Sequence, residues 1–223
     1  MDSDEELLEE LEAAKRGECP PPFGTYEFQI PGSPVSVQAK RAARDEYEQR
    51  VRNSYKGNKF IFIGDIHIEF RWWISAKSRY ETDASADIDN ALKPTIDALT
   101  GPDGLFIDDC QVRGLNVAWS HSNSGKEHIS VRIDFTPGDW HPIDDVVFIN
   151  LGNGLCVPSP KNIPQDARKT WCKILNDRTD MKEKILSLGG SYPWASTLLL
   201  CPRPFHRTRV NGFAVVSSDE YVA

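Results

Sequence analysis

Between Asp87 and Asp109 the chain reads DIDNALKPTIDALTGPDGLFIDD. Two carboxylates stand two apart, Asp87 and Asp89. A lysine, Lys93, follows four beyond the second, and an acidic pair, Asp108 and Asp109, closes the stretch. Hard divalent cations such as magnesium, with manganese as a substitute, take oxygen ligands, keep several waters and need only a few carboxylates. A pair of such ions about 3.5–4 Å apart can clamp the attacking and leaving oxygens of a phosphoryl displacement. A lysine beside them adds positive charge where the transition-state phosphate gathers negative charge. These residue types therefore suit metal-assisted hydrolysis of a phosphodiester. The same spacing also suits a plain solvated helix face, since Asp89, Lys93 and Asp97 lie four apart like ordinary helix ion pairs, and Asp103 and Asp108 are turn formers.

The elements that must position these groups can be read from the same stretch. Wound as a helix over 88–100, Ile88, Leu92, Ile96 and Leu99 form one apolar stripe, with Ala91, Thr95 and Ala98 beside it. Pro94 is tolerated best in a first turn, which predicts that the helix proper starts near Asn90 or Ala91. In an extended approach, residues two apart face the same side, so Asp87 and Asp89 present their carboxylates together. Beyond Asp109 a strand-like run extends to Trp119. Cys110 and Val112 are apolar on one parity and Leu115, Val117 and Trp119 on the other, which predicts a bulge at Arg113-Gly114. With Cys110 and Val112 inward, Asp109, Gln111 and Arg113 face out. Parity thus favours Asp109 over Asp108 as a third site carboxylate, with Asp108 turned inward or helping from the loop.

The run D-I-D-N-A-L-K-P-T-I-D-A-L-T, a short glycine-containing loop and then I-D-D-C-Q-V resembles the RusA family of crossover junction endodeoxyribonucleases. The pattern there is D-x-D-N-x-x-K-x-x-x-D-A-L, a loop, then D-D-x-Q-V leading into a strand. The stretch P-G-x-P-x-S-x-x-x-x-R from Pro31 is similar to the N-terminal part of the same family. The resemblance covers about 26–135. It implies that Asp87, Asp89 and Asp109 are metal-binding catalytic carboxylates and that Lys93 is a catalytic lysine. It further implies a homodimer that cuts four-way (Holliday) DNA junctions with magnesium, in recombination and repair. The fold to expect is α+β, a mixed sheet with two packed helices, followed by a C-terminal α/β extension.

Elsewhere, the charge is unevenly spread. Of the net −7, residues 1–22 contribute −6, 23–137 contribute −2 and 138–223 contribute +1. An acidic protein is an unpromising nucleic-acid binder, but most of the excess lies in the N-terminal arm. That arm, 1–22, has helix formers from Asp2 to Arg16 and ends at Gly17 and three prolines. It reads as an amphipathic arm, a partner-docking helix or an acidic segment competing with DNA. Residues 23–137 form the nuclease-like domain. Strands are expected at 26–30, 60–74, 111–119 and 127–135, the last two as an antiparallel pair, with a helix from about Ala42 to Asn53. Lys40, Arg41 and Arg44, beside the Pro31–Pro34 turn, are candidate DNA-backbone contacts. The polar loop from Ser75 to Ser85 offers Lys77 and Arg79 to phosphates, and Tyr80 to a base or as a wedge at a junction step.

Residues 138–223 have a different composition, with a strand expected at 146–150, a loop over 152–164 and a helix over 165–188 broken near 177–180. Strands are expected at 196–201 and 210–217. Arg203, Arg207 and Arg209 form a small basic-aromatic cluster with Phe205 and His206. The five cysteines are an odd number with no C-x-x-C, which points to reduced thiols in a cytoplasmic protein rather than a disulfide frame. Cys201 with His206 is a poor soft-metal pair. No signal peptide is visible, and no run of about 18 apolar residues spans a membrane. Two further functions compete with hydrolysis of branched DNA. One is a non-catalytic DNA-structure-binding or regulatory protein on the same scaffold; the other is metal-dependent phosphatase chemistry on a small substrate.

Overall fold

The computed structural model describes residues 3–82, 87–122, 125–199 and 202–223. The chain divides into two compact units, Met1–Trp140 and His141–Ala223. The first opens with helix α1 (Ser3–Lys15), then β1 (Thr25–Pro31), α2 (Arg41–Ser54), β2 (Phe60–Phe62), β3 (Ile66–Ile74), α3 (Ala76–Tyr80), α4 (Ile88–Leu99), β4 (Val112–His121) and β5 (His128–Phe135). A short strand, β6 (Trp140–Pro142), stands where one unit gives way to the next.

Four strands form a mixed sheet in the order β1-β5-β3-β4. β5 is antiparallel to both β1 and β3, and β4 is parallel to β3. A parallel pair needs a crossover of a dozen or more residues, usually helical, and α4 lies in that crossover. The alternation is legible in burial: Ile66, Ile68, Phe70, Trp72 and Ile74 are buried while the residues between them are half-buried or exposed. Ile129, Val131, Ile133 and Phe135 repeat this on β5. These residues, Ile74 apart, share one core with Tyr47, Val51 and Tyr55 of α2 and its C-terminus and with Ala91, Ala98 and Leu99 of α4. The result is α+β, as expected.

β4 and β5, read from the sequence as an antiparallel pair, do not pair with each other; β3 lies between them. Just after β4, at the end of β3, the Ser122 amide donates to the Ile74 carbonyl at 2.9 Å. The strand expected over 60–74 is interrupted between Phe62 and Ile66. The bulge expected at Arg113-Gly114 is present. Val112 faces Ile66 and Gly114 faces His67, which leaves Arg113 as the extra residue. A Cβ on Gly114 would come within 2.1 Å of the His67 Nδ1, so the His67 ring occupies the space that any side chain there would need.

α2 and α4 are locked by polar contacts inside the core. The Tyr47 hydroxyl and the Thr95 Oγ1 lie 2.7 Å apart, and Thr95 donates to the Ala91 carbonyl at 2.8 Å. Burial pushes the Tyr47 phenol up to about 12, against the lowering effect of the Thr95 hydrogen bond. Tyr47→Phe leaves Thr95 its Ala91 partner, so the expected loss is about 1 kcal/mol, measurable by urea denaturation. The core stripe of α4 is Ala91, Thr95, Ala98 and Leu99; Leu92 and Ile96 are only partly buried and Ile88 is 37 % exposed. The helix therefore buries mainly small residues, with Leu99 at its end, and leaves Leu92, Ile96 and Ile88 at the margin.

The second unit has its own four-stranded sheet, in the order β10-β7-β8-β9, from β7 (Val146–Asn150), β8 (Leu155–Pro160), β9 (Phe205–His206) and β10 (Val215–Ser217). Its helices are α5 (Gln165–Ser187), α6 (Tyr192–Ser196) and α7 (Ser218–Val222). Val147, Ile149, Val157, Cys172, Leu175 and Tyr221 form its core. Several expectations fail here. α5 runs unbroken through 177–180, because Lys173–Asp177 continues the helix as an i,i+4 ion pair at 2.5 Å. Residues 155–160, expected in a loop, form β8. Residues 196–199 are helical rather than extended, and only Val215–Ser217 of 210–217 is a strand. The remainder of the 196–201 strand, and Cys201 of the soft-metal pair, lie outside the described residues.

Candidate active site

α4 begins at Ile88, earlier than the proline suggested, with Asp87 at its N-cap and Asp89 in its first turn. An N-cap aspartate ordinarily spends its carboxylate on the first backbone N–H groups of the helix; Asp87 makes no such bond. Both carboxylates are exposed, and among the described residues neither side chain has a hydrogen-bond or ion-pair partner. The positive end of the helix dipole favours negative charge at this position. Lys93, one turn further along the same exposed stripe, pairs with Asp97 at 3.0 Å.

Pro94 explains how this end is held. It has no N–H for the carbonyl four residues back, which frees the Asn90 carbonyl; the Val37 amide takes it at 2.8 Å. The segment after the Pro31–Pro34 turn is thereby strapped to the head of α4. Arg50 supports the strap, donating to the Ser33 carbonyl at 2.8 Å while lying over the Tyr47 ring. Glu127 ties in α3: it accepts from the Ser33 hydroxyl, from the Ser75 amide at 3.0 Å and from the Ser78 hydroxyl at 3.2 Å. These hydrogen bonds, the Ser33 one foremost, hold its carboxyl below the usual range.

The expected DNA contacts gather around the same head of α4. Lys40, Arg41 and Arg44 are exposed where α2 begins, just after the strap; among the described residues only Arg41 of the three is paired, with Asp45 at 3.8 Å. Lys77, Arg79 and Tyr80 lie on α3. Arg79 sits over the Trp119 ring at 5.4 Å, and the Tyr80 hydroxyl lies 3.2 Å from the His121 Nε2, with Tyr80 itself 69 % exposed. The polar loop expected over 75–85 is helical to Tyr80, and its last part, 83–85, lies outside the described residues.

Asp108 and Asp109 belong to the other end of the crossover. The Gly101 amide, just past the end of α4, donates to the Phe106 and Ile107 carbonyls, and the Phe62 amide to the Leu105 carbonyl. β4 then starts opposite Ile66, the first residue of β3. α4 has 12 residues, a rise of about 18 Å, and it separates the Asp87–Asp89 pair from this turn. Among the described residues, no three His, Cys, Asp or Glu side chains gather closely enough to hold a metal ion.

The local structure at 109–111 also differs from the parity argument. Asp109–Gln111 is a 3-10 turn, not strand. Gln111, expected outward, is fully buried, and Cys110, expected inward, is exposed. Asp108 caps the turn, its Oδ1 accepting from the Cys110 amide at 3.0 Å. Asp109 is exposed. Asp109, exposed where Asp108 is half-buried, remains the ligand candidate.

One further carboxylate bears on stability at this end. Asp139 is half-buried against Gly64, and burial first, then repulsion from Asp65, raises its carboxyl above the ordinary value. A carboxyl raised on folding penalises the native state once it ionises. The penalty is absent below the unfolded value and sets in as pH rises through the folded one. Asp139→Asn is therefore expected to raise the melting temperature at neutral pH, by less than about 1 kcal/mol for a partly screened group. The gain should vanish in acid below the ordinary carboxylate range, as thermal melts at several pH values would show.

Residues 34–134 match the family model of the endodeoxyribonuclease RusA. They belong to that family, and the domain is an endodeoxyribonuclease of the Holliday junction resolvase type. No curated protein matches the chain, and no described helix is long and apolar enough to cross a membrane. Sequence reasoning missed Gln111, Glu127 and Arg50. Only Gln111 left a signal, as the glutamine of D-D-C-Q-V, and its direction was misread.

Proposed function

We propose that the chain is a magnesium-dependent, structure-selective endonuclease that cuts four-way DNA junctions in recombination and repair, using Asp87, Asp89 and Asp109 as metal ligands and Lys93 beside them. What carries the reading is that Asp87, at the N-cap of α4, and Asp89, in its first turn, are exposed and without a side-chain partner among the described residues, inside the family-matched segment. Exposed oxygen donors of this kind fit a hard divalent cation, which would supply charge neutralisation and an activated water. Lys93 adds a cation one helical turn away, at the developing phosphate charge. Lys40, Arg41, Arg44, Lys77 and Arg79 hold the DNA backbone, and Tyr80 offers a ring to an unstacked base.

The separation of Asp109 from the pair favours a site completed between two copies. β4 is an edge strand of its sheet. Leu115 on it and Ile88 at the start of α4 are exposed apolar residues, 44 % and 37 %, and edge strands invite pairing with another chain. A two-fold antiparallel apposition of β4 with its partner brings the start of one strand, behind Asp109, to the end of the other, beside α3 and the approach to Asp87. A homodimer of this kind presents two sites to opposing strands. The test is cleavage of a synthetic four-way junction with and without magnesium. Nicking only with the metal and only at the branch supports the reading. Binding without nicking favours the structure-binding alternative, and equal cutting of linear duplex removes junction selectivity.

A further inference from the structure

We infer that Gln111 is a positioning residue for cleavage: its side chain fixes the turn that presents Asp109. The inference rests on the proposed role of Asp109.

The Gln111 side chain is fully buried and uses both ends of its amide. The Nε2 donates to the Phe62 carbonyl at 3.0 Å and to the Gly64 carbonyl at 2.6 Å. The Oε1 accepts from the Ile107 amide at 2.7 Å and from the Asp108 amide at 3.1 Å. Four backbone groups from two separate segments thus converge on one side chain. One segment runs from the end of β2 into the irregular link to β3; the other is the turn that carries Asp108 and Asp109. The second hydrogen bond to Oε1 also closes the capping box, in which Asp108 caps the turn and Gln111 reaches back to the Asp108 amide.

The chemistry is specific to glutamine. A primary amide offers two donors and an acceptor with two lone pairs, and all four are used here. Glutamate keeps the acceptor and loses both donors, placing a carboxylate against two carbonyl oxygens. Methionine keeps the length and loses all four bonds. Asparagine is one methylene too short to reach both segments. Each buried backbone group left without a partner is costly, so the turn shifts when the amide is lost. Asp109, two residues away and exposed, moves with it. A ligand group needs placement to within a fraction of an ångström, so cleavage suffers before DNA binding does, because the cationic contacts lie at the head of α4.

The test uses the full chain and a synthetic four-way junction, comparing wild type, Gln111→Glu, Gln111→Met and Asp109→Asn. Junction affinity, single-turnover cleavage at saturating DNA, and binding of manganese alone by electron paramagnetic resonance are measured, with melting temperature as a check on folding. Folded Gln111→Glu is expected to bind the junction like wild type, to cleave at least about ten-fold more slowly, and to bind manganese more weakly by a similar factor. Gln111→Met should lose more. A folded Gln111→Glu with wild-type cleavage and manganese affinity, alongside an inactive Asp109→Asn, overturns the role of Gln111 alone. An Asp109→Asn that cleaves like wild type overturns the site reading and this inference with it. If neither Gln111 variant folds, amide hydrogen exchange on the wild type decides. Slow exchange of the Ile107 and Asp108 N–H groups supports the clamp, and exchange as fast as in open turns refutes it.

Discussion

Asp89→Asn is expected to lower cleavage of a four-way junction by at least about a thousand-fold, on the scale of removing one group that stabilises transition-state charge, while junction binding is kept or slightly tightened. The asparagine has nearly the shape of the aspartate and sits in the exposed first turn of α4, so folding is not at stake. What it lacks is the negative charge that holds a hard cation. Removing a negative charge near phosphate also relieves repulsion, hence the direction expected for binding. A readout independent of cleavage accompanies it. Magnesium should raise the melting temperature of the wild type, as any ligand of the native state does, and raise that of Asp89→Asn much less. Retained cleavage in Asp89→Asn would remove the pair from the chemistry, and equal metal stabilisation of both proteins would remove it from the metal.

The largest stability effect is expected at Trp72. It is fully buried in the middle of the first sheet, 5.8 Å from the Phe70 ring and 5.0 Å from the Trp119 ring. Its Cα stands opposite Trp119 on one side and Ile129 on the other. Trp72→Ala should cost about 3–5 kcal/mol, the transfer of a large ring plus the cavity it leaves. The indole N–H is buried without an acceptor among the described residues, which sets part of the burial against an unsatisfied donor. Trp72→Phe removes that donor along with the second ring, so its cost should be about 1–2 kcal/mol. Urea unfolding of both variants checks the pair of numbers. A loss in Trp72→Phe well above about 2 kcal/mol would mean that the indole N–H finds an acceptor.

The sequence made α4 legible because its period, its aspartate pair and its end at Leu99 are all local features. Pro94 misled the reading of the start, since a proline in the second turn looks like an error until the Val37 strap supplies a use for the freed Asn90 carbonyl. The alternation of β3 and β5 was equally plain, but which strand each would pair with was not. Pairing is a non-local choice, and β3 inserts itself between two strands that are neighbours in sequence. At 109–111 a two-residue period was extended through a 3-10 turn, and each residue was assigned the wrong side except Asp109. In the second unit, Pro158 and Pro160 hid β8. The structure accommodates them because β9 pairs only with Leu155 and Cys156, leaving the later part of β8 without a strand on that side. The candidate residues were named by type and spacing alone. That Asp109 would lie beyond a crossover helix from Asp87 and Asp89 was not legible, because spacing along the chain carries no information about which ends meet.

The most direct test is complementation between two inactive variants. Asp89→Asn and Asp109→Asn chains are co-expressed with different tags, the mixed dimer is isolated, and its nicking of a four-way junction is compared with that of each variant alone. If the site is shared, the mixed dimer holds one site with both substitutions and one with neither. It should nick at about half the wild-type rate per dimer, while each variant alone stays inactive. If each copy builds its site from its own three aspartates, both sites in the mixed dimer are damaged. A confirmed mixed dimer that fails to nick would contradict the shared site, and single variants that nick like wild type would contradict hydrolysis by these carboxylates altogether.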